Sequence, residues 1–294
     1  MFFHRGAFSL PIRACFPSLF LQDVCPTSHY MMASISFLGT GSGIPSADRY
    51  FTSMLLLVAG KHLLIDAGEP CVHQLCDRGD LILTLDTVLI THGHVDHIGG
   101  LPALLQGAML LGRSKALTIH LPGEMIDPVR AWIRALYLTE EGLGFPLDWK
   151  SWVDHEQVDL GEGVSVTPHS NNHLTSCYRS LPGADSSRAC EAYSLVIDSD
   201  SGKFRALFSG DLSAASDLSP LLALPITVLV SELAHFDAKD LAGVLAGAEL
   251  HALCLVHLSE EYADERSQLQ ELMEDLLPHV SDVMIPEDGE RLDF

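Results

Sequence analysis

Residues 92–97 read His-Gly-His-Val-Asp-His, directly after the apolar run Val88-Leu89-Ile90-Thr91. Three imidazoles and a carboxylate in so short a stretch are a dense set of metal ligands. His92 and His94 stand two apart in an extended segment, so both can point at one ion. Asp96 and His97 come after the chain turns and can aim at a second point nearby. Imidazole nitrogen with carboxylate oxygen suits zinc. Further His and Asp residues recur downstream, each shortly after an apolar run: Asp66 after Leu63–Ile65, His173 beyond Val164–Thr167, Asp211 after Leu207-Phe208-Ser209-Gly210, and His257 after Leu253–Val256. Loops that follow buried strands are where α/β proteins commonly place chemistry.

The elements that must position these residues follow from the periodicity. Apolar, β-branched runs predict strands at Ile35–Leu38, Met54–Val58, His62–Ile65, Thr87–Thr91, Leu117–His120, Val164–Thr167, Ala192–Ile197, Ala206–Phe208, Thr227–Val230 and Leu253–Val256, with Val283–Ile285 and Arg291–Phe294 closing a sheet edge. Helices are expected at Glu69–Cys76, Leu101–Leu111, Pro128–Leu138, Leu218–Leu224, Ala238–Gly247 and Arg266–Leu277. Residues 33–294 read as one α/β domain with sheets inside and helices outside. Residues 140–163 and 174–191 have the weakest periodicity and read as insertions or lids that set substrate choice.

At 294 residues, with 47% hydrophobic residues and a mean hydropathy of +0.22, the chain is globular. No apolar run approaches the roughly 20 residues that span a bilayer, so no membrane partner is expected. The net charge of −22, from 39 acids against 17 bases, disfavours nucleic acid as a partner without excluding a local basic site. Seven cysteines, with no C-x-x-C pair, read as reduced thiols in a cytoplasmic protein. Residues 1–32 differ: Arg5 and Arg13 precede any acid, and Pro11 and Pro17 break the apolar stretches. They read as a disordered N-terminal extension or as a misassigned start ahead of Met31-Met32 rather than as a secretory signal.

His92-x-His94-x-Asp96-His97, with Asp66 in Leu-Ile-Asp-Ala-Gly, resembles the metallo-β-lactamase superfamily over residues 33–294. Phe37-Leu38-Gly39-Thr40-Gly41-Ser42-Gly43-Ile44-Pro45 with Arg49, Gly100-Leu101-Pro102, and Leu255-Val256-His257-Leu258-Ser259 resemble its ribonuclease Z and phosphodiesterase branch. The resemblance implies a four-layer αββα sandwich, two mixed sheets flanked by helices. It implies two zinc ions, with manganese or iron as alternatives. His92, His94 and His173 would hold the first and Asp96, His97 and His257 the second, with Asp211 bridging both and Asp66 orienting a ligating imidazole from behind. Two zinc ions and two carboxylates leave a site near +2, in which a bridging water loses a proton at a pKa of about 7. The resulting hydroxide would be the nucleophile, and Asp96 is counted with the catalytic residues.

Four positions carry alternatives. His169 competes with His173 as the third ligand of the first ion; family spacing favours His173. Asp66 could instead cap the helix after it. Asp211, in Ser209-Gly210-Asp211, could be a turn residue, although Gly210 would let the backbone approach a metal closely. Ser231-Glu232-Leu233-Ala234-His235-Phe236 resembles the ribonuclease Z segment in which a His-Glu pair assists the leaving group. Ser231 stands where that family has histidine, so Glu232 and the downstream His235 become the candidates for proton transfer. His62, His73, His120, His155 and His251 show no ligand spacing, and Tyr178 and Tyr193 are read as packing residues.

The leading expectation is a two-zinc phosphodiesterase acting on a small-molecule or nucleotide diester, with a homodimer allowed. The alternatives are tRNA 3′-end processing of the ribonuclease Z type and thioester or lactone hydrolysis, which the same metal core supports. Against tRNA stand the histidine missing at position 231, the absence of a Gly/Pro-rich basic arm and the acidic character of residues 140–163. An iron oxygenase, a metal-free scaffold and β-lactam hydrolysis fit the residues less well.

Overall fold

Along one strand, Leu63 and Ile65 pack into one hydrophobic cluster and Leu64, between them, into another. The same alternation puts Val228 and Val230 in the first cluster and Leu229 in a third. Strands covered on both faces read as unbroken apolar runs, which is why these runs lack a polar alternation. The computed structural model describes residues 33–79, 81–199 and 203–294; the reading of residues 1–32 lies outside them. Among the described residues no helix is long and apolar enough to cross a membrane.

The strands are β1 (Ser34–Gly39), β2 (Ser53–Val58), β3 (Lys61–Ile65), β4 (Thr87–Leu89), β5 (Leu117–Leu121), β6 (Leu147–Ser151), β7 (Val158–Gly161), β8 (Val164–Asn171), β9 (Ala192–Ser199), β10 (Phe204–Phe208), β11 (Ile226–Leu233), β12 (Leu250–Leu258), β13 (Asp282–Met284) and β14 (Arg291–Asp293). They form two seven-stranded sheets, in the orders β14-β1-β2-β3-β4-β5-β6 and β13-β12-β11-β10-β9-β8-β7. Each sheet is mixed: β3 to β6 pair in parallel and β1 to β3 antiparallel, while β10 to β13 pair in parallel and β7 to β10 antiparallel.

The sheets meet face to face over Phe37, Ile65, Leu195, Phe208, Val230 and Cys254. The outer face of the first sheet is covered by α1 (Cys71–Asp77), α2 (Leu81–Thr84), α3 (Val95–Ile98), α4 (Leu101–Leu110) and α5 (Ile126–Ala135), through residues such as Leu75, Ile82, Leu104 and Ile133. After α6 (His173–Tyr178), the outer face of the second sheet is covered by α7 (Ala238–Leu245) and α9 (Arg266–Leu276), with α8 (Glu260–Asp264) between them in sequence. The layers run helix, sheet, sheet, helix, the αββα sandwich expected from the resemblance. Each fully buried Leu, Ile or Phe in these three clusters contributes about 1.5–3 kcal/mol of transfer free energy.

Three expectations are corrected. Residues 140–163 are not a detached insertion: Leu147–Ser151 pairs in parallel with β5, and Val158–Gly161 pairs with β8, so they supply an edge strand to each sheet. Edge strands carry half-exposed, polar side chains, and the periodicity fades for that reason. Leu218–Leu224 forms no α-helix; Ala215–Leu221 is a 3-10 helix, and Pro220 within it has no N–H to extend an α ladder. β11 runs past Val230 to Leu233, so Ser231 and Glu232 lie in the sheet and not in a following loop.

Candidate metal centre

His92 lies three residues beyond the end of β4 and is wholly buried. His94 keeps an extended backbone (φ −68°, ψ 149°) as the residue before α3, and Asp96 and His97 follow on that short helix. This single change from extended to helical backbone separates the two pairs, as their spacing suggested. His173 begins α6, Asp211 follows β10, and His257 lies in β12. The structure brings all seven candidates together in two overlapping groups that could hold a metal ion. His92, His94, His173 and Asp211 form one; Asp96, His97, Asp211 and His257 form the other.

Asp211 faces both groups. Its Oδ2 stands 3.8 Å from His92 Nε2, 3.6 Å from His173 Nε2 and 3.4 Å from His257 Nε2, and its Oδ1 is 3.2 Å from His97 Nε2. His173 Nε2 is 3.2 Å from His94 Nδ1, and Asp96 Oδ2 is 3.2 Å from His257 Nε2 and 3.5 Å from His97 Nε2. Two ligands each about 2.0–2.1 Å from one zinc ion lie about 3.3 Å apart at a tetrahedral angle, so these spacings fit. His92 Nε2, His97 Nε2 and Asp211 Oδ1 are buried without a hydrogen-bond partner. Buried polar atoms are ordinarily paired, so unpartnered atoms in both groups, at His92, His97 and the shared Asp211, are a fit test that the donor set passes.

Electrostatics agree. Burial, helped by the neighbouring imidazoles, pushes His92 well below the usual histidine range, so it stays neutral and keeps a lone pair. Burial alone would raise Asp211, but His257, His97 and His92 outweigh it and hold the carboxyl well below its usual range. Burial likewise opposes charge on His97, yet Asp211 and Asp66 prevail and raise it well above its usual value. A proton on His97 and a divalent ion compete for one lone pair, so ion binding there releases a proton.

Asp66 does not cap a helix. α1 begins after Pro70, and the Asp66 carboxylate accepts from Thr91 N at 2.8 Å and Thr91 Oγ1 at 2.9 Å, with His97 Nδ1 at 2.7 Å. It is 1% exposed with φ +57°, a backbone position that favours glycine, Asn or Asp. Thr91, whose role the sequence did not signal, also faces His92 Nδ1 at 3.1 Å. His257 is left-handed too (φ +48°), and its N–H donates to Thr40 O at 2.8 Å. Strain of this kind costs about 1–3 kcal/mol and persists where its surroundings impose it. The Gly39–Gly43 turn thereby serves the site, and Gly43 approaches so closely that a Cβ there would lie 3.2 Å from Asp96 Oδ2. Gly210 also meets the strands around it. Its positive φ (+57°) lets the chain pass Tyr193 O, 2.7 Å from where a Cβ would be, and Thr91 Cβ, 3.1 Å from it.

His169 is excluded from the cluster: its Nδ1 lies 3.0 Å from His155 Nδ1, away from Asp211. Tyr193 packs in the inter-sheet core. Glu232 Oε1 accepts from Leu212 N and faces His235 Nδ1, each at 2.9 Å, and the His235 ring sits 4.8 Å from that of His173 and 5.7 Å from that of His257. Ser231 is fully buried and its hydroxyl donates to Glu232 O, so the histidine paired with Glu232 comes from three residues downstream. Burial opposes charge on His235, but Glu232 outweighs it and raises the imidazole above its usual value. Cys177 was not anticipated as a neighbour; its Sγ lies 3.9 Å from the Nε2 atoms of His94 and His173.

Ribonuclease Z of Bradyrhizobium diazoefficiens is 34% identical over 133 residues, 44% of this chain and 43% of that protein, so the chain spans less than half of that relative's length. Ribonuclease Z of a second Bradyrhizobium strain is 25% identical over 277 residues, 80% of this chain and 92% of that protein. Among solved structures, the metallo-β-lactamase fold protein YhfI from Bacillus subtilis superposes with a TM-score of 0.69 at 18% identity, over 90% of this chain and 100% of its own. The family model described as Anti-Pycsar protein Apyc1 matches residues 33–224, a stretch that contains six of the seven clustered residues and stops short of Glu232, His235 and His257. That match takes in well over half of the sequence, and with the αββα architecture it means that the chain belongs to the Anti-Pycsar protein Apyc1 family, within the ribonuclease Z-like branch of the metallo-β-lactamase superfamily.

Proposed function

We propose that the protein is a metal-dependent hydrolase that holds two zinc ions and cleaves phosphodiesters. The observation that carries this reading is the buried carboxylate of Asp211, which reaches imidazoles of both groups, Oδ2 toward His92, His173 and His257 and Oδ1 toward His97. His92, His94 and His173 would hold one ion, Asp96, His97 and His257 the other, and Asp211 both. Such a pair, when bound, supplies an activated water and positive charge opposite an anionic phosphoryl group.

The chain's own residues do the rest. Asp66 fixes the ring of His97 through Nδ1, leaving Nε2 for coordination. Thr91 does the same for His92. Glu232, held by Leu212 N and Ala234 N, orients His235 through Nδ1. The other nitrogen of His235, beside His173 and His257, then delivers a proton to the departing oxygen.

The second reading is tRNA 3′-end processing, favoured by relatives named Ribonuclease Z. Residues 140–163, which form edge strands, provide no projecting basic arm for tRNA, and the net charge of −22 opposes a polyanion. The test assays zinc-loaded protein on bis-p-nitrophenyl phosphate, a panel of cyclic nucleotides and short RNAs, with a gel shift of a tRNA precursor at moderate salt alongside. Turnover of small diesters without a tRNA shift is expected. Failure on every diester rejects the phosphodiesterase reading, and a salt-steep shift with 3′ cleavage replaces it with the tRNA reading.

A further inference from the structure

Asn171 and Ala192 pair across β8 and β9, so residues 172–191 are an excursion between two strands that are already joined. The excursion begins with His173 and lies against the loop that carries His92 and His94. It is pinned there by two acids and one base. Glu124, in the turn after β5, accepts from Glu191 N at 3.0 Å and from Arg188 Nε at 3.4 Å, and Glu191 Oε2 accepts from Glu124 N at 3.4 Å. The Arg188 guanidinium lies 5.6 Å from the centre of the Tyr178 ring, at the far end of α6. Its Nη2 stands 3.5 Å from Met125 Sδ, and that sulfur in turn presses on Gly93, where a Cβ would meet it at 2.8 Å. A continuous set of contacts therefore runs from Gly93, between His92 and His94, through Met125 and Arg188 to Tyr178 and the helix that starts at His173.

We propose that the Glu124–Arg188–Tyr178 contact is a positioning latch that sets the affinity of the ion at His92, His94 and His173 while leaving the ion at Asp96, His97 and His257 unaffected. This rests on the two-ion reading above. The selectivity follows from topology. Asp96 and His97 are on α3, His257 is on β12, and their backing comes from Asp66, Thr40 and Glu232, none of which belongs to residues 172–191. His173 has its backbone N–H on Asn171 Oδ1 and its far anchor in the latch. An arginine held by both an ion pair and an aromatic face fixes geometry in a way that lysine does not. Loss of a group that orients a metal ligand commonly costs 10–100-fold in affinity. The Arg188 side chain is 41% exposed, and its pairing is correspondingly sensitive to salt.

The test counts cobalt ions per full-length chain after dialysis against graded chelator, for the wild type, Arg188→Ala, Glu124→Gln and Arg188→Lys. A second readout is the rate at which Cys177 is alkylated, since its thiol lies 3.9 Å from His94 and His173 and moves with α6. Expected are two ions on the wild type and a weaker first ion in Arg188→Ala and Glu124→Gln, with its midpoint shifted about tenfold. The second midpoint stays unchanged, Cys177 is alkylated faster, and Arg188→Lys falls between. Circular dichroism identifies any variant that fails to fold, and Arg188→Lys, which keeps the charge, then carries the comparison. Unchanged midpoints and an unchanged alkylation rate in folded variants overturn the latch. Wild-type protein that takes up no cobalt overturns the two-ion reading and the latch with it.

Discussion

His97 and His173 both present Nε2 to Asp211, but the chain holds them by different means. Behind His97 stands a wholly buried carboxylate, Asp66, at 2.7 Å, itself tied to Thr91 at the end of the neighbouring strand. Behind His173 stands a short helix whose far end is fastened by a half-exposed arginine. One half of the centre is built into strand ends; the other is completed by an excursion that the sheets do not require. The difference teaches that two chemically similar ligand sets can have very unequal mechanical support, and that the weaker half is where adjustment is cheap.

The largest test removes what the halves share. Asp211→Ala should abolish binding of both ions and lower kcat/KM on bis-p-nitrophenyl phosphate by about 10³-fold or more, since a metal's charge stabilisation amounts to several kcal/mol. Retention of one tight ion would show that the halves stand alone. Next in size, His235→Ala should lower kcat on the order of 10² while both ions stay bound. The loss should be greater for a diester with a poor leaving group than for one releasing p-nitrophenol; equal losses would remove His235 from proton transfer.

Asp66→Asn sharpens the comparison from the side opposite the latch. It should weaken chiefly the ion at Asp96, His97 and His257, by about 10–100-fold in a chelator titration, with a smaller loss at the other ion passed through Thr91 to His92. Smallest is a scaffold effect separate from both halves. His120 is buried against Trp152, with ring centres 4.8 Å apart, and burial, helped by Lys150, lowers its pKa to about 4. The native state therefore keeps it neutral while the unfolded chain protonates it near 6.5. Its contribution is complete above that value and is lost as pH falls from about 6.5 to about 4, by at most about 3 kcal/mol. Urea titrations of the wild type and His120→Gln across that window should diverge as the pH falls, and parallel curves would refute the assignment.

Much of the centre was legible because metal ligands must be a few residue types at strand ends. His92, His94, Asp96 and His97 declared themselves by density, and His173, Asp211 and His257 by their positions after apolar runs. The sheets were legible wherever both faces are buried. Edge strands were not: Leu147–Ser151 and Val158–Gly161 carry polar side chains because one side of each meets water. Thr91 left no trace either, since a β-branched residue at a strand end is ordinary and its bonds to Asp66 depend on how β3 and β4 pair. Arg188 and Glu124 are far apart in sequence and meet only because residues 172–191 return to the turn after β5. That the histidine beside Glu232 is His235, with serine at position 231, could be suspected from the motif, but its ring could be set against Glu232 only with β11 extended to Leu233.

The seven clustered side chains come from both sheets. His92, His94, Asp96 and His97 follow a strand of the first, whereas His173, Asp211 and His257 follow or lie in strands of the second. Ions held among them, as proposed above, would act as rivets across the seam of the sandwich. A chelator should then do more than silence an enzyme: it should let the halves of the molecule breathe apart along that seam, with faster amide exchange at the tips of β4 and β10. Metal supply would in this way set how long the protein survives proteolysis as well as how fast it turns over.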